Sequence, residues 1–216
     1  MRTRIRPLAL LLAGLLVAAC APSTEAVSSD SMVNAGVCVN SPDPVVAIIE
    51  FENTTGRSGG LNVTGIETAA TARLITLLQN SGCYRIVERS ELVNILAQQG
   101  LESMAPEDLA KAAGAGFVIT GAVTRATIAR PGVSLLGVSV GNVTAEVAVD
   151  VRATDLVTGA VVVSQTGVGE AQRANFTVTN LPVGTISYND PTYEPLLADA
   201  ADSALAQVVA SIRERF

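Results

Sequence analysis

The chain has 216 residues, of which 49% are hydrophobic and 16% are charged. That length and apolar content are enough for one well-buried domain and argue against overall disorder. The first 19 residues contain three arginines and no acidic residue, which leaves 11 basic and 20 acidic residues in the remainder, a net charge near −9. Because nucleic-acid-binding proteins need a basic surface, this balance predicts no nucleic-acid partner.

Histidine is absent from the whole sequence. Its absence excludes a Ser-His-Asp or Cys-His nucleophile and a histidine zinc ligand, which lowers the expectation of hydrolytic catalysis. The acids that could serve an enzyme are Asp43, Glu50 and Glu52, on or beside the first predicted strand. Alternate strand residues face the same side, so these acids also fit the solvated side of a strand. We therefore expect no catalytic residue, no metal site and no cofactor.

Residues 1–19 are predicted to be a lipoprotein signal peptide. Three arginines precede an apolar segment, residues 8–18, that is too short for an ordinary membrane-spanning helix. Small residues then lead to Cys20, as in a bacterial lipobox, in which the cysteine is lipidated and becomes the new N-terminus. An ordinary signal peptide with an incidental Cys20 is the alternative. Ala21, which is not aspartate, favours the outer membrane, so we expect an outer-membrane protein that is lipid-anchored and faces the periplasm.

Residues 20–44 are rich in serine, alanine and proline and show little periodicity, which predicts a flexible tether. The tether contains Cys38, and the core contains Cys83. Because the periplasm is oxidising, a Cys38–Cys83 disulfide could pin the tether beside the first core strands. Two unrelated buried or free thiols are an equally good interpretation at this stage.

The core is predicted to begin with a strand at Val45–Asn53, whose continuous apolar start is typical of burial on both faces. The glycine-rich segment 54–65 could cradle a phosphate, but it lacks the Lys-Ser/Thr of a P-loop, and we favour a plain loop. A helix follows, and Gly82 ends it. The apolar residues of this helix that share one face are Ile66, Ala70, Leu74, Leu77 and Leu78.

A short strand is predicted at residues 83–89, and a helix runs from Ser90, its N-cap, to Gly100. The run from Ala72 to Leu96 (ARLITLLQNSGCYRIVERSELVNIL) resembles the CsgG/HfaB family of bacterial outer-membrane lipoproteins. The segment Phe51-Glu-Asn-Thr-Thr-Gly resembles the end of the first strand in that family.

The second half of the chain fits the resemblance in the same order. A short helix at 106–114 leads into a strand, and the segment 142–154 alternates as a half-buried strand does. A turn at Asp155–Gly159 connects it to a partner strand at 160–165. The last helix runs from Tyr193 to about Arg213. Its apolar face comprises Leu196, Leu197, Ala200, Ala204, Leu205, Val208, Val209 and Ile212.

Two regions, 128–142 and 167–190, interrupt this predicted core of residues 45–216. The resemblance implies an α/β fold with a central mixed sheet flanked by helices and two short inserted β-hairpins. In curli-secreting members such hairpins join around a ring and form a membrane pore that exports fibre subunits without a nucleotide. The candidate membrane, pore or partner residues in the two regions are Val133, Leu135, Val138, Val140, Phe176, Val178, Ile186 and Tyr188.

The leading hypothesis is a CsgG-type lipoprotein that takes part in assembly or secretion of a surface polymer such as curli-like fibres, as a ring-forming, non-enzymatic export channel subunit. Its partners would be other copies, the outer membrane, and secreted fibre subunits or other envelope proteins. Each membrane strand needs about 9–11 residues, so the region 128–142 is short for a hairpin of two such strands. A second hypothesis is therefore a periplasm-facing anchoring or regulatory lipoprotein without a pore, such as a holdfast anchor or an activator of cell-wall synthesis.

Truncating one leucine of either predicted helix face tests the core. Leu77→Ala or Leu205→Ala should lower the free energy of unfolding by about 2–5 kcal/mol, because each removes buried side-chain volume and leaves a cavity. Thermal melts of the purified variants measure the loss. A melting temperature almost equal to that of the parent would contradict the assignment of these faces.

Overall fold

The computed structural model describes residue 38 and residues 43–58, 60–87, 105–129, 132–135, 138–174 and 182–215. Several predicted features lie outside the described residues: the signal peptide with Cys20, most of the tether, the helix from Ser90 to Gly100, and Phe176 and Val178. The strands are β1 (Val45–Ile48), β2 (Glu52–Asn53), β3 (Asn62–Thr64), β4 (Arg85–Val87), β5 (Phe117–Ala129), β6 (Gly132–Leu135), β7 (Val138–Gly141), β8 (Val143–Asp155), β9 (Val161–Arg173) and β10 (Thr185–Ser187). The helices are α1 (Ile66–Ser81), α2 (Pro106–Ala112) and α3 (Glu194–Arg213), with a 3-10 turn at Thr55–Ser58.

A central mixed sheet has the strand order β4-β1-β5-β8-β9, and β2 also pairs with β5. Strand β1 is parallel to both β4 and β5, whereas β8 is antiparallel to β5 and β9. Helices α1 and α3 pack on one face and enclose the main core, and Ala110 of α2 contributes to a smaller apolar cluster that includes Ala47 and Val118. This arrangement confirms the predicted α/β fold with a central mixed sheet.

Helix α1 buries all five residues of its predicted face, with Ile66, Leu74 and Leu78 fully buried. It ends at Ser81 because Gly82 adopts a left-handed conformation with φ +68° and donates its N–H to the Gln79 carbonyl. The predicted face of α3 is buried in the same way. The two helices are also linked by an ion pair between Arg73 Nε and Asp202 Oδ1, at 2.7 Å.

The first predicted strand, Val45–Asn53, is in fact two strands separated by residues 49–51. Val46, Ala47 and Ile48 are at most 5% exposed, which confirms burial on both faces of β1. The ladder is interrupted because the Phe51 N–H donates to Thr71 Oγ1 of α1, at 3.0 Å. At Phe51, a hydrogen bond to helix α1 therefore takes the place of a hydrogen bond between strands.

Strand β8 follows the predicted alternation, with Val143, Val147 and Val151 buried and Arg152 exposed. The predicted turn after it is present. Asp155 Oδ1 accepts backbone N–H bonds from Val157 and Thr158, at 2.7 and 2.9 Å. The bonds from Thr158 and Val157 hold the pKa of the Asp155 carboxyl below its usual value.

Strand β9 is longer than predicted, because it continues to Arg173 in register with β8. The second insertion therefore begins after Arg173 and not at residue 167. Two glycines let α3 lie against this part of β9. A Cβ at Gly167 would be 2.2 Å from the Ala204 carbonyl oxygen, and one at Gly169 would be 1.9 Å from the Ala200 oxygen. Only glycine fits at both positions.

The outer edge of β9 is occupied at Val168 by a side chain of α3. Gln207 Nε2 donates to the Val168 carbonyl at 2.8 Å, and Gln207 Oε1 accepts the Val168 N–H at 3.4 Å. Two residues before Val168, the Thr166 carbonyl accepts a hydrogen bond from Gln165 Nε2 at 3.0 Å. Side-chain amides thus occupy backbone groups of Thr166 and Val168 that a further strand could otherwise pair with.

Cys38 and Cys83 are joined by a disulfide with a Cα–Cα distance of 5.3 Å. Cys83 is buried and lies directly before β4, and the half-buried Cys38 packs against the main core. The bridge therefore ties the end of the predicted tether to the sheet, as in the first of the two interpretations above. The oxidation state in the cell stays a prediction.

Adding one methyl group at Gly169 tests the close contact between α3 and β9. Gly169→Ala should lower the free energy of unfolding by about 3 kcal/mol or more, because helix and sheet must separate to admit the Cβ. Gly116→Ala is the control, since the nearest atom to its added Cβ is the Val45 oxygen at 4.0 Å. Denaturant titration measures both, and equal small losses would contradict the contact.

Candidate functional site

The long hairpin of β5 and β8 continues into β6 and β7 without a change of register. Ala129 pairs with Thr144, and Gly132 pairs with Gly141, so two residues separate these pairs on each strand. The pairing also brings together four residues predicted as candidates: Val133 pairs with Val140, and Leu135 with Val138. The last pair leaves a two-residue connection, 136–137, which lies outside the described residues.

This hairpin, residues 130–142, projects beyond the rest of the sheet. Strand β1 pairs only with Phe117–Ile119 at the start of β5, and β9 ends where Arg173 pairs with Val143. We call residues 130–142 the projecting hairpin. Its described residues add four pairs, from Gly132 with Gly141 to Leu135 with Val138, beyond the last pair between β5 and β8. The one irregularity in the supporting ladder is a bulge at Thr124.

The base of the projecting hairpin is polar. Arg125 Nη2 of β5 and Glu146 Oε1 of β8 form an ion pair at 2.6 Å, and Arg173 Nη2 pairs with Asp199 Oδ2 of α3 at 3.2 Å. All four side chains are more than a third exposed, so each pair contributes only about 0–1 kcal/mol. The two ion pairs hold these four charged side chains in place on the surface next to the hairpin base.

Ile186 and Tyr188, predicted as part of a second hairpin, lie elsewhere in the structure. Strand β10 pairs in parallel with β3, which lies more than 120 residues earlier, because Asn62–Thr64 offers it a free edge. Both side chains are half-buried against the main core. Burial, together with the nearby carboxylates of Asp202 and Glu194, raises the pKa of Tyr188. These two residues therefore belong to the core and not to a projecting element.

The glycine-rich segment 54–65 is not the plain loop that the sequence predicts. Thr55, fully buried, donates its hydroxyl to Asn53 Oδ1 at 2.8 Å and accepts the Val63 N–H at 3.1 Å. Asn53 Nδ2 donates to the Val63 carbonyl at 2.7 Å and to Glu67 Oε2 at 2.9 Å. The segment is thus fastened to β2 and to the first turn of α1.

The same segment lines an open polar groove with Gly184 and Thr185. Arg57 is the charged side chain in its lining. The hydrogen bonds of Asn53 and Thr55 lie within the loop itself, so these residues are explained without a phosphate cradle. Asn53 and Thr55 belong to the segment Phe51-Glu-Asn-Thr-Thr-Gly, which carries the family resemblance. Their spacing in it serves this structural hydrogen-bond network.

The acids that an enzyme could use are not assembled into a site. Asp43 and Glu52 are exposed, and Glu50 Oε1 accepts a hydrogen bond from Thr68 Oγ1 at 2.8 Å. Among the residues that the structure describes, no three His, Cys, Asp or Glu side chains are placed to hold a metal ion.

Three helices are present in the part of the chain that the structure describes. None of them combines the length and the apolar character that crossing a bilayer needs.

The central sheet, its flanking helices and the projecting hairpin define an α/β domain with one long strand pair that leaves the core. The sequence matches the family model described as curli production assembly/transport component CsgG over residues 31–215. The chain therefore belongs to the CsgG family. No curated protein matches the sequence.

Solved structures show distant likeness. Hypothetical protein CT253 from Chlamydia trachomatis is 12% identical, with a TM-score of 0.48, and the match covers 80% of this chain and 97% of that one. Lipoprotein GNA1162 from Neisseria meningitidis is 14% identical, with a TM-score of 0.41, covering 79% and 99%. The PelC dodecamer from Paraburkholderia phytofirmans is 17% identical, with a TM-score of 0.42, covering 82% and 94%.

Removing the Thr55 hydroxyl tests the network. Thr55→Val keeps the shape of the side chain but leaves the Val63 N–H and one lone pair of Asn53 unsatisfied, so the free energy of unfolding should fall by about 1–3 kcal/mol. Thr76→Val is the control, because the Thr76 hydroxyl is exposed and bonds only within α1. Chemical denaturation compares the two, and equal losses would argue against the network.

Proposed function

We propose that this CsgG-family chain is an outer-membrane lipoprotein, lipidated at Cys20, that assists assembly or secretion of a surface polymer from the periplasmic side. It acts without catalysis, as a homo-oligomer or with an envelope partner, and the projecting hairpin is its contact element. The observation that carries this proposal is the register shared by the β5–β8 and β6–β7 pairs, which places β6 and β7 after the last pair of the core ladder. Family membership supports the role in assembly or transport.

Chain length favours an action beside the membrane over a pore made by this chain. Residues 130–142 separate the last pair of the core ladder at Ala129 from the start of β8, and residues 174–184 separate β9 from β10. Two strands of 9–11 residues, as a membrane-crossing hairpin requires, need roughly 20 residues. Neither segment supplies that number on its own.

A pore subunit is the second candidate, and the hairpin sequence favours it. Gly132-Val-Ser-Leu135 and Val138-Ser-Val-Gly141 alternate apolar residues with small or polar ones. Such alternation is typical of strands that separate lipid from water. In this candidate the strands of β5 and β8 themselves would contribute part of the crossing.

Shortening the projecting hairpin tests the contact. Replacing Gly132–Gly141 by Asn-Gly leaves residue 131 opposite residue 142 and closes the ladder with a two-residue turn. We expect the shortened, lipidated protein to keep its melting temperature but to lose self-association or partner capture, measured as particle mass in detergent. A shortened protein with the mass of the parent oligomer would refute the hairpin as contact element between copies.

A matched pair of variants separates side-chain chemistry from hairpin length. Val133→Asn with Val140→Asn changes one cross-strand pair, and Ser134→Asn with Ser139→Asn changes the adjacent pair. If the apolar pair makes the contact, only the valine variant should dissociate. Conductance in planar bilayers decides between the candidates: channels from the parent that vanish in the shortened protein would establish the pore, whereas silent bilayers with an intact oligomer support the proposal.

A further inference from the structure

The polar groove described above lies beside β5, near the base of the projecting hairpin. It is lined by residues of the segment after β2 and by Gly184 and Thr185. In this segment the Leu61 N–H bonds to the Ala126 carbonyl of β5, and a Cβ at Gly60 would lie 3.3 Å from the same oxygen. The groove is therefore next to the part of β5 that leads to the hairpin, on the side away from β8.

The groove carries a positive charge. Among the described residues that line it, Arg57 is the charged one, and the others are asparagine, threonine and glycine. Arg57 is exposed and takes part in none of the ion pairs formed between described residues. A guanidinium can hold a carboxylate through two parallel N–H···O bonds. Its single charge matches a carboxylate, whereas phosphorylated groups are usually held by clusters of arginines.

Neutral hydrogen-bonding groups in the same groove suit the main chain of a peptide. Asn62 Nδ2 donates to Thr185 Oγ1 at 3.4 Å, a length at which the bond is weak, so both side chains can turn to a ligand. Together they offer N–H and O–H donors and oxygen acceptors, which the alternating C=O and N–H groups of a peptide require. Gly56, Gly60 and Gly184 also line the groove and have no side chain to cover its backbone.

The size and the lining of the groove narrow the choice of ligand. Its volume of about 440 Å³ lies within the range of about 300–1,000 Å³ that is usual for ligand-binding clefts. No aromatic side chain is among the described residues that line it, whereas a nucleic-acid base is usually bound by stacking on an aromatic ring. The net charge near −9 of residues 20–216 also repels long polyanions. A short segment with one or two carboxylates meets these limits.

We propose that the groove binds a short acidic segment of a protein partner. Arg57 holds one carboxylate of this segment, and Asn62 and Thr185 bond to its main chain. The bound segment lies beside the part of β5 from which the projecting hairpin extends, so the partner's contact with this chain is not confined to the hairpin. The proposal requires neither lipidation of Cys20 nor self-association.

A cycle of peptide and protein substitutions tests the contact with Arg57. The probes are the peptide acetyl-Ser-Gly-Asp-Gly-Ser-amide and its asparagine isostere, each carrying the same fluorophore. Fluorescence anisotropy gives their dissociation constants for the lipidated full-length protein in detergent. We expect the parent to bind the aspartate peptide roughly fivefold more tightly, as for an exposed ion pair, and Arg57→Gln to bind both peptides equally. Equal binding by the parent, or a preference that survives in Arg57→Gln, would overturn the proposal.

Two further variants separate the groove from net charge. Arg152→Gln is the matched control, because Arg152 is also exposed but pairs with Thr120, near the start of β5 and away from Ala126. It should keep the preference for the aspartate peptide, and loss of the preference would show that net charge alone sets it. Thr185→Lys places a second cation at the groove and should strengthen binding of the aspartate peptide several-fold. Unchanged or weaker binding would count against the groove.

Cross-linking locates the bound peptide, and a sugar acid tests the class of ligand. A benzophenone on the aspartate peptide should cross-link on irradiation to residues 53–62 or 184–188, which mass spectrometry identifies. Cross-links confined to other segments would overturn the assignment. Digalacturonate, which carries its carboxylates on sugar rings, should displace the labelled peptide less well than the unlabelled aspartate peptide does, and equal or better displacement would refute a peptide ligand. Either failure leaves the proposed contact of the hairpin standing, because that contact is read from particle mass.

Discussion

The contact between α3 and β9 is the constraint on which the fold depends. Two glycines bring the helix backbone within reach of the strand, so that the apolar face of α3 covers both β8 and β9. Helix α1 then packs beside α3 over the parallel half of the sheet. Strand β8 thus lies between β5 and a strand that packs against α3, and this ladder leads towards the projecting hairpin.

The polar network of Asn53 and Thr55 complements this contact at the other side of β5. It holds the segment after β2 against the first turn of α1, and Thr54 and Leu61 donate backbone bonds to Val123 and Ala126 of β5. The part of β5 after Ile119, which β1 does not reach, therefore has this segment on one side and β8 on the other. In the proposal above, the projecting hairpin makes the functional contact, and these neighbours hold the part of β5 from which it extends.

The sequence predicts elements whose apolar period is regular. The faces of α1 and α3 and the alternation of β8 are found as expected, because burial on one face imposes those periods. The second half of β9 shows no such apolar alternation. Its buried positions include Gly167 and Gly169, and glycine adds nothing to a hydrophobic pattern. Strands β3 and β10 are three residues each and pair across a long separation, and the role of Thr55 depends on Val63 and Asn53, so no local pattern could reveal them. The sequence from Gly132 to Gly141 reads nearly the same in both directions, with glycine, valine and serine each opposite a residue of the same type. This local pattern could have indicated the hairpin.

The amide of Gln207 on the edge of β9 has a consequence for assemblies of this chain. Amyloid fibres grow when an incoming strand satisfies the free backbone groups of the strand before it. At Val168 those groups are already satisfied from within the molecule. In the role proposed above, the occupied backbone groups at Val168 deny an incoming polymer strand this part of the edge of β9.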